Sequence, residues 1–131
     1  MADNQRIDYG QAQIQTFANA VAAGQVHFDP KAAQDAANLY EQAIAELLSI
    51  KKALGEIPGY RGFGGFRTGA ELQQGFSRKA TDGVAVVDQL IEGAMHLQET
   101  YLRAGNLIEQ ADQVNRSRIA SASNRTGGGQ A

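Results

Sequence analysis

At 131 residues and 14.0 kDa the chain has the size of one domain, with room for a real but thin core. Twelve basic and 14 acidic side chains leave a formal charge of -2, so no long-range positive field recruits nucleic acid or an anionic membrane surface. Cysteine is absent, which excludes disulfides, thiol catalysis and thiolate metal sites. Nowhere do apolar residues run long enough for a membrane span, and Met1 to Arg6 leads into no signal-peptide core, so neither a span nor a cleaved signal peptide is expected.

Ile7, Ile14, Phe17, Ala18, Val21 and Ala22 fall near helical spacing and stop at Gly24, which predicts a short amphipathic helix over residues 8–24. The next start signal is Phe28-Asp29-Pro30. The Asp29 carboxylate can accept backbone N–H bonds as an N-cap, and proline at the first helical position lacks only a donor that would be unpaired there. From Pro30 onward Ala33, Ala36, Tyr40, Ala43, Leu47, Ile50, Leu54 and Ile57 alternate steps of three and four, one seam of a helix that Pro58-Gly59 ends.

Residues 58–67 hold four of the chain's 15 glycines beside Tyr60, Phe63 and Phe66, which predicts an ordered turn with rings to bury. The turn motif is Gly62, Phe63, Gly64, Gly65 and Phe66. Its glycines follow a helix instead of a strand and lack the Gly-Lys-Ser/Thr ending of a phosphate loop, so no nucleotide site is read there. Thr68 and Glu71 have capping-box spacing and place the start of the last helix at that point.

That helix carries the cleanest periodicity: Phe76, Ala80, Gly83, Val87, Leu90, Ala94, Leu97, Tyr101, Ala104, Ile108 and Ala111 step by four and three throughout. Read as one helix over 69–115 it would span roughly 70 Å, against about 42 Å for 30–57 and about 26 Å for 8–24. Two arrangements fit these lengths: the first two helices end to end along the third, or a third helix kinked near its glycines. Gly75, Gly83, Gly93 and Gly105 weaken it, and close approach of neighbouring helices is the expected compensation.

Beside the main seam runs a second apolar line, Val84, Ile91, Met95 and Leu102, wider than one antiparallel helix covers; it is the expected partner interface. Residues 117–131, rich in Ser and Gly, read as a disordered tail, which leaves 1–116 as the domain. The expected fold is all-α: an antiparallel helical hairpin or bundle with a short N-terminal helix, then two long helices joined by a glycine and aromatic turn.

Chemistry is thinly represented. His27 and His96 have no second ligand at metal-binding spacing, and Asp35, Glu41, Glu46, Asp82, Asp88 and Glu92 are scattered mostly off the apolar seams as a solvated face would be. No Glu-x-x-His pair of a carboxylate-metal bundle occurs. No catalytic, cofactor-binding or metal residue is assigned, and the expectation is a protein that is not an enzyme.

The Asp29-Pro30 helix start within Val26-His27-Phe28-Asp29-Pro30, the following Ala32, Ala33 and Ala36, and Gly64-Gly65-Phe66 before a long heptad helix together resemble the WXG-type proteins of ESX, or type VII, secretion systems of actinobacteria and related Gram-positive bacteria. The likeness covers about residues 20 to 115. It implies a helical hairpin that dimerises into a four-helix bundle with itself or a homologous small helical protein. It also implies a stay in the cytoplasm before export, recognition by the secretion machinery, export folded without a cleaved signal peptide, and no catalysis. Gly62-Phe63-Gly64 stands where the family has Trp-x-Gly, and Tyr101 is followed four residues later by Gly105 where the family's export motif carries an acidic residue. A cytoplasmic structural or adaptor bundle that is not exported is the alternative.

Overall fold

The computed structural model of the chain describes residues 6–59, 62, 64, 65 and 67–128. All the regular structure among them is helical: α1 (Gln11–Ala22), α2 (Pro30–Glu56), a single 3-10 turn at Ile57–Gly59, α3 (Arg67–Ala104) and α4 (Ile108–Gly128). None of these helices is long and apolar enough to cross a membrane.

Local chemistry explains most of the boundaries. Asp29 caps α2 as its sequence suggests, accepting from the N–H groups of Lys31 at 3.0 Å and Ala32 at 3.3 Å, with Pro30 in the first turn. Gly24, at φ 76°, closes α1: the Gly24 N–H donates to Val21 O and the Gln25 N–H to Ala20 O, the paired bonds of a Schellman ending. Helix α3 begins at Arg67, so Thr68 lies inside its first turn and is not the N-cap that the capping-box spacing implied.

The last helix divides where one continuous helix was expected. At Gly105-Asn106-Leu107 the Asn106 N–H donates to Arg103 O and the Leu107 N–H to Leu102 O, with Asn106 in the left-handed region at φ 61°. Leu107 then packs beside Leu102, the apolar contact that accompanies this ending. The seam runs unbroken through Ala104, Ile108 and Ala111 because the tight turn happens to preserve the spacing. The chain reverses, and α4 returns along α3.

The expected disordered tail is likewise corrected over residues 117–128, which continue α4. What composition alone omits is a partner. Arg118 reaches back to Glu92 at 2.9 Å and to Glu99 at 3.1 Å on α3. Residues 129–131 lie outside the described residues.

Helix α3 is the hub. Antiparallel α2 lies on it from Ala33 beside Gly105, through Ile44 with Val87 and Ile91, to Leu54 beside Gly83. Helix α1 runs parallel to α3: the Ile7 N–H donates to Gln89 Oε1, Tyr9 and Ile14 abut Gly93, and Phe17 meets Tyr101. The first two helices therefore flank the same C-terminal half of α3 side by side; they do not succeed one another along it. Four helices gather at that end, and the molecule tapers to the α2–α3 hairpin at the other.

Candidate functional site

Because α1 and α2 both pack on α3, an apolar groove of about 420 Å³ remains between them. Leu90, Ala94 and Leu97 form its floor, Tyr9 and Ile14 one wall, and Tyr40, Leu47 and Ile50 the other, with Glu46 at the rim. Floor and hairpin are continuous in register. Leu72, Phe76, Gly83, Leu90, Ala94 and Leu97 recur at steps of four, seven, seven, four and three, so they share one face of α3. On α2, Leu39 and Ile50 are eleven residues apart and share the flanking stripe. The exposures are large for such residues: 67% for Leu39, 49% for Ile50 and 51% for Leu72. Exposed apolar side chains sharing faces in this way are a common mark of an interaction surface.

Both apolar lines of the sequence are drawn into the fold. The second line, expected to meet a partner, is spent within the chain. Ile91 lies in a buried cluster with Ile44 and Val87, Met95 packs against that cluster, Leu102 lies in another with Ala37 and Ala111, and Val84 is half-buried. The main seam, expected to pair internally, does so at Ala80, Val87, Ala104 and Ala111, which are buried, while its Leu90, Ala94 and Leu97 supply the groove floor. On α2 the buried residues are Ala33 of the predicted seam and Ala37 and Ile44 beside it, with Leu47 and Leu54 of the seam packed against the Ile44 cluster. Alanine-rich α2 carries two overlapping stripes, and periodicity does not say which of them faces α3.

The glycines mark close approach, as expected, at three of four places. A methyl group on Gly83 would lie 3.2 Å from Leu54 and one on Gly93 2.7 Å from the Tyr9 ring, and one on Gly105 would collide with Ala33. Gly75 has open space in the exposed hairpin. In the turn motif, Gly62, Gly64 and Gly65 are exposed and Gly64 takes φ 84°, a conformation that favours glycine. Phe63 and Phe66, like Tyr60, lie outside the described residues.

Around the groove's upper end four rings assemble. Phe17 meets Tyr101 edge-on with centroids 5.1 Å apart, and Phe28 and Tyr40 stack on Tyr101 at 5.4 and 5.8 Å. Burial, with Tyr101 beside it, raises the Tyr40 pKa above its ordinary value, so this hydroxyl stays neutral at physiological pH.

On the opposite side of α3 lies a polar cluster. Glu99 is 8% exposed and accepts from both Arg103 at 2.8 Å and Arg118 at 3.1 Å. Arg103 also pairs with Asp112 at 3.1 Å. Burial disfavours both guanidinium charges, but hydrogen bonds and opposite charge, from Glu92 and Glu99 at Arg118 and from Glu99 and Asp112 at Arg103, outweigh it and raise both pKa values. His96, half-buried on the same side of α3, has its pKa lowered by burial first and then by Arg118.

Gln98 Nε2 donates to Ala37 O at 3.2 Å and to Glu41 Oε1 at 2.8 Å, joining α2 to α3. His27 is exposed, and among the described residues no group of three or more His, Cys, Asp or Glu side chains is placed to hold a metal ion. The paired carboxylates and arginines act on one another and form a structural clamp between helices. Sequence reading missed them because Arg118 had been assigned to the tail, far from Glu92 and Glu99.

Compared with protein-family models, with curated proteins and with solved structures, the chain matches none.

Proposed function

We propose that the chain is a non-enzymatic helical binding protein that acts through helix–helix association, as a type VII (ESX-like) secretion substrate or secretion-associated partner. The observation that carries the binding part of this reading is the apolar strip formed by the groove floor and by Leu39, Ile50 and Leu72. A partner helix laid along it would bury leucine and isoleucine side chains at helical spacing, the usual helix-in-groove mode of recognition. The secretion part rests on the resemblance of residues 20 to 115 to WXG-type proteins.

The binding part is tested with the double substitution Leu39→Glu/Ile50→Glu. Both positions are solvent-exposed, so the variant keeps wild-type helicity while its self-association in sedimentation, or its recovery of a helical partner from the host, falls at least tenfold. Undiminished association of a folded variant removes the strip as the contact surface. The secretion part is tested in the host. Native protein in culture filtrate free of lysis markers supports export, and its confinement to the cell leaves the adaptor-bundle alternative.

A further inference from the structure

Helix α4 is attached to the molecule differently from the other helices. Its apolar contribution is small: Ala111 is buried, and Val114, with Leu107 of the preceding turn, packs against Ala37 and Leu102. Its two isoleucines, Ile108 and Ile119, are 44% and 59% exposed and stand eleven residues apart on one flank. Polar contacts hold the rest. Arg118 engages Glu92 and Glu99, Asp112 engages Arg103, and Gln110 Nε2 donates to Gln34 Oε1 at 2.7 Å on α2.

The clamp is also incompletely satisfied. The Arg118 Nε is buried and has no hydrogen-bond partner among the described residues. A buried donor left without an acceptor disfavours the docked state, while undocking returns that donor to water. The Gly105-Asn106-Leu107 ending closes α3 with its own hydrogen bonds, Asn106 to Arg103 and Leu107 to Leu102, none of which requires α4 to be docked.

We propose that α4 is a detachable strap. Its docking on α3 is decided by the Arg118–Glu92–Glu99 and Arg103–Asp112 contacts more than by apolar burial, and it opens as a unit while the α1–α2–α3 assembly stays folded. Opening removes Ala111 from Ala37 and Leu102 and presents that pair to solvent. This inference stands apart from the proposed function, since it concerns the opposite side of α3 from the groove.

The test is native-state hydrogen exchange by mass spectrometry on the full chain, comparing wild type with Arg118→Gln, which keeps the stem and a polar head but removes the charge. Amides of residues 110–122 exchange at least tenfold faster in the variant, and those around Ile44, Val87 and Ile91 keep wild-type protection. In wild-type protein, raising salt to about 1 M, where the screening length falls to about 3 Å, speeds exchange in the same segment and leaves the core unchanged. This second measurement reads the strap even if Arg118→Gln does not fold. The proposal is overturned if α4 and core amides exchange at one common rate in wild type, or if neither substitution nor salt singles out the α4 segment.

Discussion

The two ends of α3 share one heptad pattern and meet different fates. At the C-terminal end three helices surround it, and even Gln98, Glu99 and Thr100 are buried, each with a hydrogen-bonding partner. At the N-terminal end, among the described residues, only the last turns of α2 and the 3-10 turn accompany it, and Leu72 and Phe76 on the same helix are about half exposed. Apolar spacing shows that a helix face can be buried; the number of neighbouring helices decides whether it is. The end with one neighbour is where Leu72 and Phe76 keep their exposure.

The contrast is broken or sharpened first by charge. Ile91→Glu places a carboxylate in the buried Ile44–Val87–Ile91 cluster, and cooperative urea unfolding should be lost or shifted by several kcal/mol, on the order of 3 or more. Leu102→Ala is the next largest. It empties the most completely buried large side chain, 2% exposed, and should cost about 2–5 kcal/mol. Leu72→Ala in the hairpin is the matched control and should stay within about 0.5 kcal/mol. Equal costs for Leu102→Ala and Leu72→Ala would mean that the hairpin is as enclosed as the four-helix end.

Much of this architecture was legible from local signals. Asp29-Pro30 marked the start of α2, Gly24 the end of α1, and Pro58-Gly59 the end of α2, because each imposes a backbone or capping requirement that does not depend on distant residues. Gly105-Asn106-Leu107 was equally local, a left-handed residue followed by an apolar one, but the unbroken spacing of Ala104, Ile108 and Ala111 concealed it. What was not legible is tertiary. How far the Ile91–Leu102 line and the Leu90–Leu97 stretch of the main seam are each covered required knowing how many helices flank α3. The pairing of Arg118 with Glu92 and Glu99 required knowing that the chain turns back at residue 105.

Two glycines of α3 test the same contrast on a smaller scale. Gly75→Ala meets open space, so removing glycine's entropic penalty should raise the free energy of unfolding by up to about 1 kcal/mol. Gly93→Ala carries the same helix-propensity gain, but its methyl group would come within 2.7 Å of the Tyr9 ring. The ring must move, and residues 6–10 lose their seat on α3. Stability should fall, with amide exchange speeding up selectively in that segment. A stabilised Gly93→Ala would show that α1 is held by Ile14 and Phe17 alone.

The smallest expected effect is one of pH, and it belongs only to the four-helix end. Burial and the neighbouring Arg118 lower the His96 pKa from 6.5, outweighing the opposite pull of Glu99 and Glu92. The folded protein therefore binds this proton less readily than the unfolded chain. Above both pKa values neither state carries the proton, and the contribution to stability is complete. As pH falls through the ordinary histidine value toward the lowered one, the unfolded chain takes up more proton and stability declines. The urea midpoint should drop between about pH 7.5 and about pH 5.5 in wild type, and His96→Gln should flatten the slope over that window. An unchanged slope in His96→Gln would assign the acid sensitivity to other groups and leave His96 a bystander beside the α4 clamp.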